Sequence, residues 1–585
     1  MKCSPEKTMF HPFKTFPRIS EREIWSKLSA SEEKRPLVSA ILSKAEEVLP
    51  LPIPQLTASQ FMEFVRNGNR SRYEADYFAR RINLSSLVLA EGLEYKGRFR
   101  DKIIDYIWAI IGEPTWSVPA HTHVGGEKTA VRDPLPSIEY EIVDLFAAET
   151  GIFMAMILEI MSDELAAVSP NLVARIKSEV TRRLLVPTES DLSRYGWSRG
   201  KNNWTPWICS NLLWTANTIF ADEPSRFDAY VQLLMPSVDH YYDSYPEDGC
   251  CDEGPGYWNL SPPKFFLFME GLYRASDGAV SCFNDLKFKN MCTYIVDAWV
   301  DQNRNVRFAD NGGRHTLNTG LLRAMCERAD VPQGIALADM LDDCTTIFPK
   351  PHSAIIPPLF DLFTNRRPDL SLPRRSFKVY PKTQQLFMKR DGLFIAVKGG
   401  HNHESHNHND VGQFVIAQDG RFTVLDLGSA TYDQKTFSKQ RYDNYPQSGL
   451  SHNPLVFNGI PQEAGKGHAS LFEASGDENA FTCRLEISGC YPASLGLISY
   501  YRTLTYDGHT LTVHDEWKAS APLKPTMTLL HETPKPLFNC ALTKTTEPFP
   551  INDDWLASNW GDMLYRTIIT APENTEGSLT LNFPL

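Results

Sequence analysis

Positive charge is in short supply in this chain: 59 Lys and Arg stand against 71 Asp and Glu, a net charge of −12 with a pI near 5.7. That balance excludes a general polyanion-binding surface of the nucleic-acid kind, although a local basic cleft remains open to it. Cysteine is also sparse, 11 in 585 residues, an odd number with no Cys-x-x-Cys pair. The adjacent Cys250 and Cys251 cannot easily bridge each other, so the thiols read as mostly reduced. No run of about 18 apolar residues occurs, which leaves no spanning helix and no membrane partner to expect. The first twenty residues lack an apolar stretch behind their positive charge and a small-residue cleavage site, so the sequence as written carries no secretory signal. The expected location is cytoplasmic, or periplasmic or secreted if a leader was removed. Proline and glycine, 40 and 34, are at ordinary usage, which excludes a disordered or collagenous chain. What is present is apolar mass: 42% of the residues are hydrophobic, enough for a large core, and the length suits about four ordinary domains or equally two or three large ones.

The hydrophobic pattern changes along the chain. From about residue 20 to 329 apolar residues recur at helical spacing, most clearly over 138–158 and again after Ser169, where Pro170 suits the first helical position. Further such segments begin near Trp204, Phe227, Pro263, Cys282 and Thr316. A Pro-rich stretch, 349–381, interrupts them. Beyond it the text alternates with period two: 385–390, the turn Asp391-Gly392, then 393–398; 413–418, Asp419-Gly420, 421–426; and 501–506, Asp507-Gly508, 509–514. Three Asp-Gly hairpins among alternating strands point to an antiparallel β-sandwich over 376–585. The fold class expected is α+β multidomain, with a helical domain over 1–345, a linker over 346–375 and the sandwich after it.

Four of the fifteen His, His401, His403, His406 and His408, fall within eight residues, which favours metal or proton chemistry over a solvated loop. Two His at i and i+2 cover only one side of a tetrahedron, so other ligands must come from neighbouring strands. Asp426, at the end of the strand after Asp419-Gly420, and His452, in Ser451-His452-Asn453-Pro454, are the candidates. Alone, each reads as a turn residue or an ordinary surface or core His.

The run Ser405-His406-Asn407-His408-Asn409-Asp410-Val411-Gly412-Gln413-Phe414, then Val424-Leu425-Asp426-Leu427-Gly428 and Ser451-His452-Asn453, resembles the C-terminal region of heparinase II/III-type polysaccharide lyases. In the first half, the segment from Trp116 to His121, Lys201-Asn202-Asn203-Trp204 and Glu253-Gly254-Pro255-Gly256-Tyr257-Trp258 resemble that family's toroid motifs. The matching segments lie between about residues 116 and 459. The resemblance implies an incomplete (α/α) toroid followed by the antiparallel β-sandwich, with the active site between them. It also implies β-elimination at a 4-linked uronic acid, on glycosaminoglycans such as heparan or chondroitin sulfate or hyaluronan, or on alginate.

That chemistry must blunt the carboxylate's charge, remove the C5 proton and protonate the leaving oxygen. Carried over by motif, Asn203 would hydrogen-bond the carboxylate, with Asn202 as its rival and a helix N-cap as its plainer role. Tyr257 would be base, acid or both, and needs a positive neighbour or donor to act as a base. His406 would be the opposite base or a carboxylate partner. His408, Asp426 and His452 would hold a zinc ion in a structural role, bracing the loop that carries His406, while His401 and His403 stay open as substitutes. His121, Trp204 and Arg441 are the substrate-binding candidates, with His123, Trp207 and Trp258 as further cleft residues and Arg199, Lys201, Arg307, Arg314 and Lys439 as further steering charges. The expected partner is an acidic polysaccharide or oligosaccharide; oligomeric state is open, a homodimer included. Two other classes compete: a zinc-dependent hydrolase using the same three ligands, and a non-catalytic carbohydrate-binding protein whose His cluster only staples a loop.

Overall fold

The computed structural model describes residues 8–124, 133–301, 304–312, 317–342, 347–348, 354–433, 435–436, 438–465, 467–535 and 537–585. Helices succeed one another from Arg22–Ala30 to Ile356–Phe363, and antiparallel strands follow from Arg375–Tyr380 to Asn574–Pro584. The central helices are apolar nearly all round. Leu145–Val168 begins where the Asp144 carboxylate accepts the Ala147 N–H at 2.8 Å, the usual device for satisfying a first-turn donor. Its length and hydropathy are those of a membrane span, yet 89% of its most apolar window is buried inside the protein. It packs on Trp204–Ile219, which packs in turn on Pro224–Ser244 and Pro262–Ala275. Among the peripheral helices, Ala58–Asn67 is amphipathic and capped, with Thr57 and Gln60 forming a reciprocal capping box. Ser169 does precede a helix, Pro170–Val180, but its hydroxyl makes no cap bond.

The helical part runs further than 345. Ile356–Phe363 lies inside the stretch expected as a linker and folds back on the toroid, with Phe360 and Phe363 against Phe16 and Phe363 edge-on to Trp25. Pro357 and Pro358 stand in its first turn, where a missing N–H costs nothing, so prolines that read as breakers are in fact helix starters. Residues 364–374 carry neither helix nor strand.

The strands form three sheets. The inner sheet is a five-stranded meander, Arg375–Tyr380, Gln385–Arg390, Leu393–Lys398, Phe414–Gln418 and Arg421–Val424. Asp391-Gly392 and Asp419-Gly420 turn with positive φ at both residues, the two-residue hairpin geometry that Asp-Gly favours. The outer sheet, also five-stranded, orders Asn574–Pro584, Thr510–Leu523, Leu497–Tyr506, Phe481–Glu486 and Leu471–Gly476. An end sheet orders Thr543–Pro550, Met563–Thr570, Pro525–His531 and Val456–Phe457.

Both faces of the inner sheet are apolar, and period-two geometry sends them opposite ways. Phe387, Phe394, Ala396, Val415 and Ala417 join the toroid's core. Leu386, Met388, Ile395, Val397, Phe414 and Ile416 join the sandwich core with the outer sheet. The sheet is therefore the wall shared by the two halves, and the loop after its third strand, which carries the His cluster, meets the toroid.

Candidate active site

Asn203 directly precedes the helix Trp204–Ile219, and its side chain makes no cap bond there; Asn202 takes that place, its Oδ1 accepting the Trp204 N–H at 3.3 Å. The Asn203 backbone N–H donates instead to Glu253 Oε1 at 2.9 Å, and its side-chain Oδ1 is buried with no protein partner. Glu253 opens the short helix Gly254–Trp258. Gly254 has φ +82, and a Cβ there would lie 2.5 Å from the Phe308 carbonyl oxygen, so only glycine lets this turn sit against the 308–311 loop. Tyr257 follows one turn on. Its ring stacks on His406 with centroids 3.8 Å apart and planes 17° apart, and its phenol oxygen lies 2.7 Å from that of Tyr432. His406 Nε2 faces Glu253 Oε2 at 3.5 Å. The Asn203 backbone and the His406 imidazole, some two hundred positions apart in sequence, thus meet at one glutamate, with Tyr257 stacked on the imidazole beside it.

Asp310, from the toroid side, organises the histidine segment. Its Oδ2 accepts from His406 Nδ1 at 2.9 Å; its Oδ1 accepts from His408 Nε2 at 3.1 Å and from Arg441 Nη2 at 2.7 Å. His406 sits at φ +57, a backbone state a side chain seldom adopts without surrounding constraint. It keeps 14% of its side chain exposed, whereas His408 keeps none, so the first imidazole has partial access to solvent and the second is enclosed.

The charges follow from these contacts. Burial works to raise the Asp310 pKa, yet the His406 and His408 hydrogen bonds and the Arg441 charge hold it well below the usual carboxylate range. Glu253 goes the other way: burial, then the neighbouring Asp252 charge, push it well above that range. Enclosure, then the Asp310 charge, push the Tyr257 phenol up. A phenol so placed stays protonated, able to give a proton and not to accept one.

His408, Asp426 and His452 bring their ligand atoms within 4.8 Å of one another, the one such group of metal-binding side chains among the described residues. His408 Nδ1, both His452 ring nitrogens and Asp426 Oδ2 are buried without a hydrogen-bond partner. Asp426 Oδ2 and His452 Nδ1 are 3.3 Å apart. Orphaned buried polar atoms are costly, and two imidazoles with a carboxylate are a zinc donor set, so these residues fit a zinc ion. Burial keeps the His408 pKa low, while Asp426 offsets burial at His452 and raises it.

The remaining candidates are spread more widely. His121 is buried, its Nδ1 2.6 Å from Asp144 Oδ2 and its ring 4.9 Å from the part-exposed Trp204. Arg441 spends its donors inward, on Asp310, the Asn407 carbonyl at 3.0 Å and the Thr436 carbonyl at 2.9 Å. Trp207 and Trp258 are core residues, their indoles donating to Glu149 and to the Met291 carbonyl, which leaves them no face for a sugar. Arg307 is buried against Asn311 and Asn559. Arg199, Lys201, Lys439, His123, His401 and His403 are exposed; Arg314 lies outside the described residues. Sequence reasoning missed Asp310, Glu253 and Tyr432. Glu253 opens a recognised motif, and Asp310 stands before Asn311 and Gly312, where an acid reads as a turn; nothing local marks Tyr432.

No family model matches the sequence, and no curated protein matches it. Solved structures do. The chain is similar to heparinase III (TM-score 0.59, 12% identity, 87% of this chain and 77% of that one), to the heparan sulfate lyase HepC of Pedobacter heparinus (0.55, 11%, 94% and 88%), and to the Streptomyces coelicolor chondroitin AC lyase solved with chondroitin sulphate (0.51, 10%, 97% and 82%). The fold is therefore that of the glycosaminoglycan lyases, a helical toroid followed by antiparallel sheets.

Proposed function

We propose that the protein is a polysaccharide lyase that cleaves uronic-acid-containing glycans by β-elimination, on a glycosaminoglycan or on alginate. The observation that carries this reading is the stacking of Tyr257 on His406 beside Glu253, whose carboxyl group also accepts the Asn203 backbone N–H, where the toroid meets the histidine loop. His406 donates its Nδ1–H to the Asp310 anion, an assignment made from the hydrogen bond, so its lone pair is on Nε2, the nitrogen on the Glu253 side. That nitrogen takes the C5 proton. The Tyr257 phenol, neutral for the reasons above, gives its proton to the leaving oxygen. Asn203 offers its amide to the uronate carboxylate. Asp310 stabilises the imidazolium that forms.

His408, Asp426 and His452 would hold zinc, which supplies a fixed positive centre beneath the loop. All three side chains are fully buried, which disfavours the hydrolase alternative, since a hydrolytic zinc keeps one position open to substrate. The test is a panel of heparan sulfate, chondroitin sulfate, hyaluronan and alginate oligosaccharides. Cleavage with growth of far-ultraviolet absorbance from a C4–C5 double bond is expected. Cleavage without that absorbance would overturn the reading in favour of hydrolysis, and binding without cleavage would favour a carbohydrate-binding protein.

A further inference from the structure

We propose that Asp310 is a positioning residue that couples the metal triad to the reactive imidazole, one carboxylate oxygen holding His408 and the other holding His406. The role given to His406 rests on the lyase reading; the coupling itself rests on geometry.

Asp310 is a fixed point. It follows Ala309, whose φ is +60, and the Asn311 N–H closes a tight turn onto the Ala309 carbonyl at 2.8 Å. Asn311 is tied in turn to Asn305, to the Val306 carbonyl and to Arg307. From this anchor the carboxylate reaches both ends of the segment 406–408, and Arg441 reaches the middle: held by Asp310 at 2.7 Å, it donates Nε to the Asn407 carbonyl at 3.0 Å. Both rings and the peptide between them are therefore referred to one side chain.

The hydrogen bonds also fix the protons. His408 donates through Nε2, which leaves its lone pair on Nδ1, the buried atom without a protein partner in the metal-binding group. A carboxylate behind a ligating imidazole sets its tautomer and raises its basicity. His406 donates through Nδ1 to the other oxygen. An ion that draws on His408 pulls on a rigid carboxylate whose second oxygen orients His406. Asparagine at 310 breaks the arrangement, because an amide has one acceptor oxygen and its NH2 cannot receive a ring N–H. One imidazole must then turn or change tautomer.

The experiment compares metal-free wild type with Asp310→Asn. Zinc affinity is read by competition with a chromophoric chelator, and ring nitrogen signals by NMR of 15N-histidine-labelled protein, with His406 assigned by its loss in His406→Gln. Zinc added to wild type is expected to shift the His406 signals. Asp310→Asn is expected to bind zinc about 10–100-fold more weakly, with His406 signals that no longer respond. On a cleaved glycan its kcat should fall while KM stays within a few-fold. Zinc affinity in the variant equal to wild type, or His406 signals that respond alike in both proteins or in neither, would overturn the coupling. Should Asp310→Asn fail to fold, the wild-type titration decides alone: silent His406 signals overturn the proposal. Absence of cleavage on every uronate glycan would overturn the lyase reading while the zinc and NMR results still decide the coupling.

Discussion

At the scale of single residues, the site is built from groups whose environments push their protonation apart. Tyr257 is kept neutral and Asp310 ionised although they are neighbours, because the phenol is enclosed beside an anion whereas the carboxylate collects donors from His406, His408 and Arg441. Tyr257→Phe keeps the ring that stacks on His406 and removes only the proton. We expect kcat to fall by about 10²–10⁴, with KM and the circular dichroism spectrum little changed. Retained turnover would show that another group protonates the leaving oxygen. The motif around Tyr257 was legible because its residues are consecutive. Asp310 was not, because its importance comes from three partners about 96 to 131 positions downstream.

At the scale of elements, two buried acids show how strands and helices are locked. Arg502 and Asp515 form a bidentate pair at 2.8 and 2.7 Å between neighbouring strands of the outer sheet, and Arg502 also donates to Gly412 O and to Asn453, beside His452. Arg502→Leu leaves Asp515 buried and uncompensated, at a cost of about 3–5 kcal/mol; Arg502→Leu with Asp515→Leu together should recover much of that in denaturant unfolding. In the toroid, Asp361 accepts from Gly320 N and Thr319 Oγ1 at the start of Thr319–Ala329. Burial, then the Asp342 charge, raise its pKa from 3.8 to about 6. A raised folded-state pKa means that the native state binds the proton more tightly than the unfolded chain. Its contribution is complete below about 3.8 and is lost as pH rises through about 6, a loss on the order of 2–3 kcal/mol. Asp361→Asn, which keeps an acceptor for Gly320 and Thr319, should flatten this part of the stability profile between pH 4 and 7. An identical slope in wild type and variant would refute the assignment.

For the whole molecule, the inner sheet decides the architecture, since its two apolar faces complete the toroid core on one side and the sandwich core on the other. The candidate metal ligands come from three separate segments, His408 after the third strand of that sheet, Asp426 after its fifth and His452 close to Val456–Phe457 of the end sheet. Zinc held there, as proposed, would tie segments of the fold that the chain alone leaves separate. One zinc per chain is expected by elemental analysis, and chelation should lower the thermal midpoint by several degrees, reversibly. His452→Ala should abolish both the zinc content and the chelator effect; a chelator effect that survives in His452→Ala would place the ion elsewhere.

Period and punctuation were enough to determine the succession of helices, the Asp-Gly hairpins and the change from one regime to the other, because backbone geometry turns those patterns directly into elements. They were not enough to end the toroid at the right place, since Pro357 and Pro358 serve helix starts and helix breaks alike, and what separates the two is the packing of Phe360 and Phe363 on Phe16 and Trp25. The histidine cluster announced metal or proton chemistry, but spacing could not divide the roles of His406 and His408. Tertiary structure separates their surroundings, turning His406 through a left-handed residue onto Tyr257 and burying His408 beside His452, and the proposed division of roles rests on that difference. Local sequence specifies local conformation; which distant carboxylate, phenol or guanidinium completes a site depends on how two halves pack across one sheet, and that is a property of the folded chain alone.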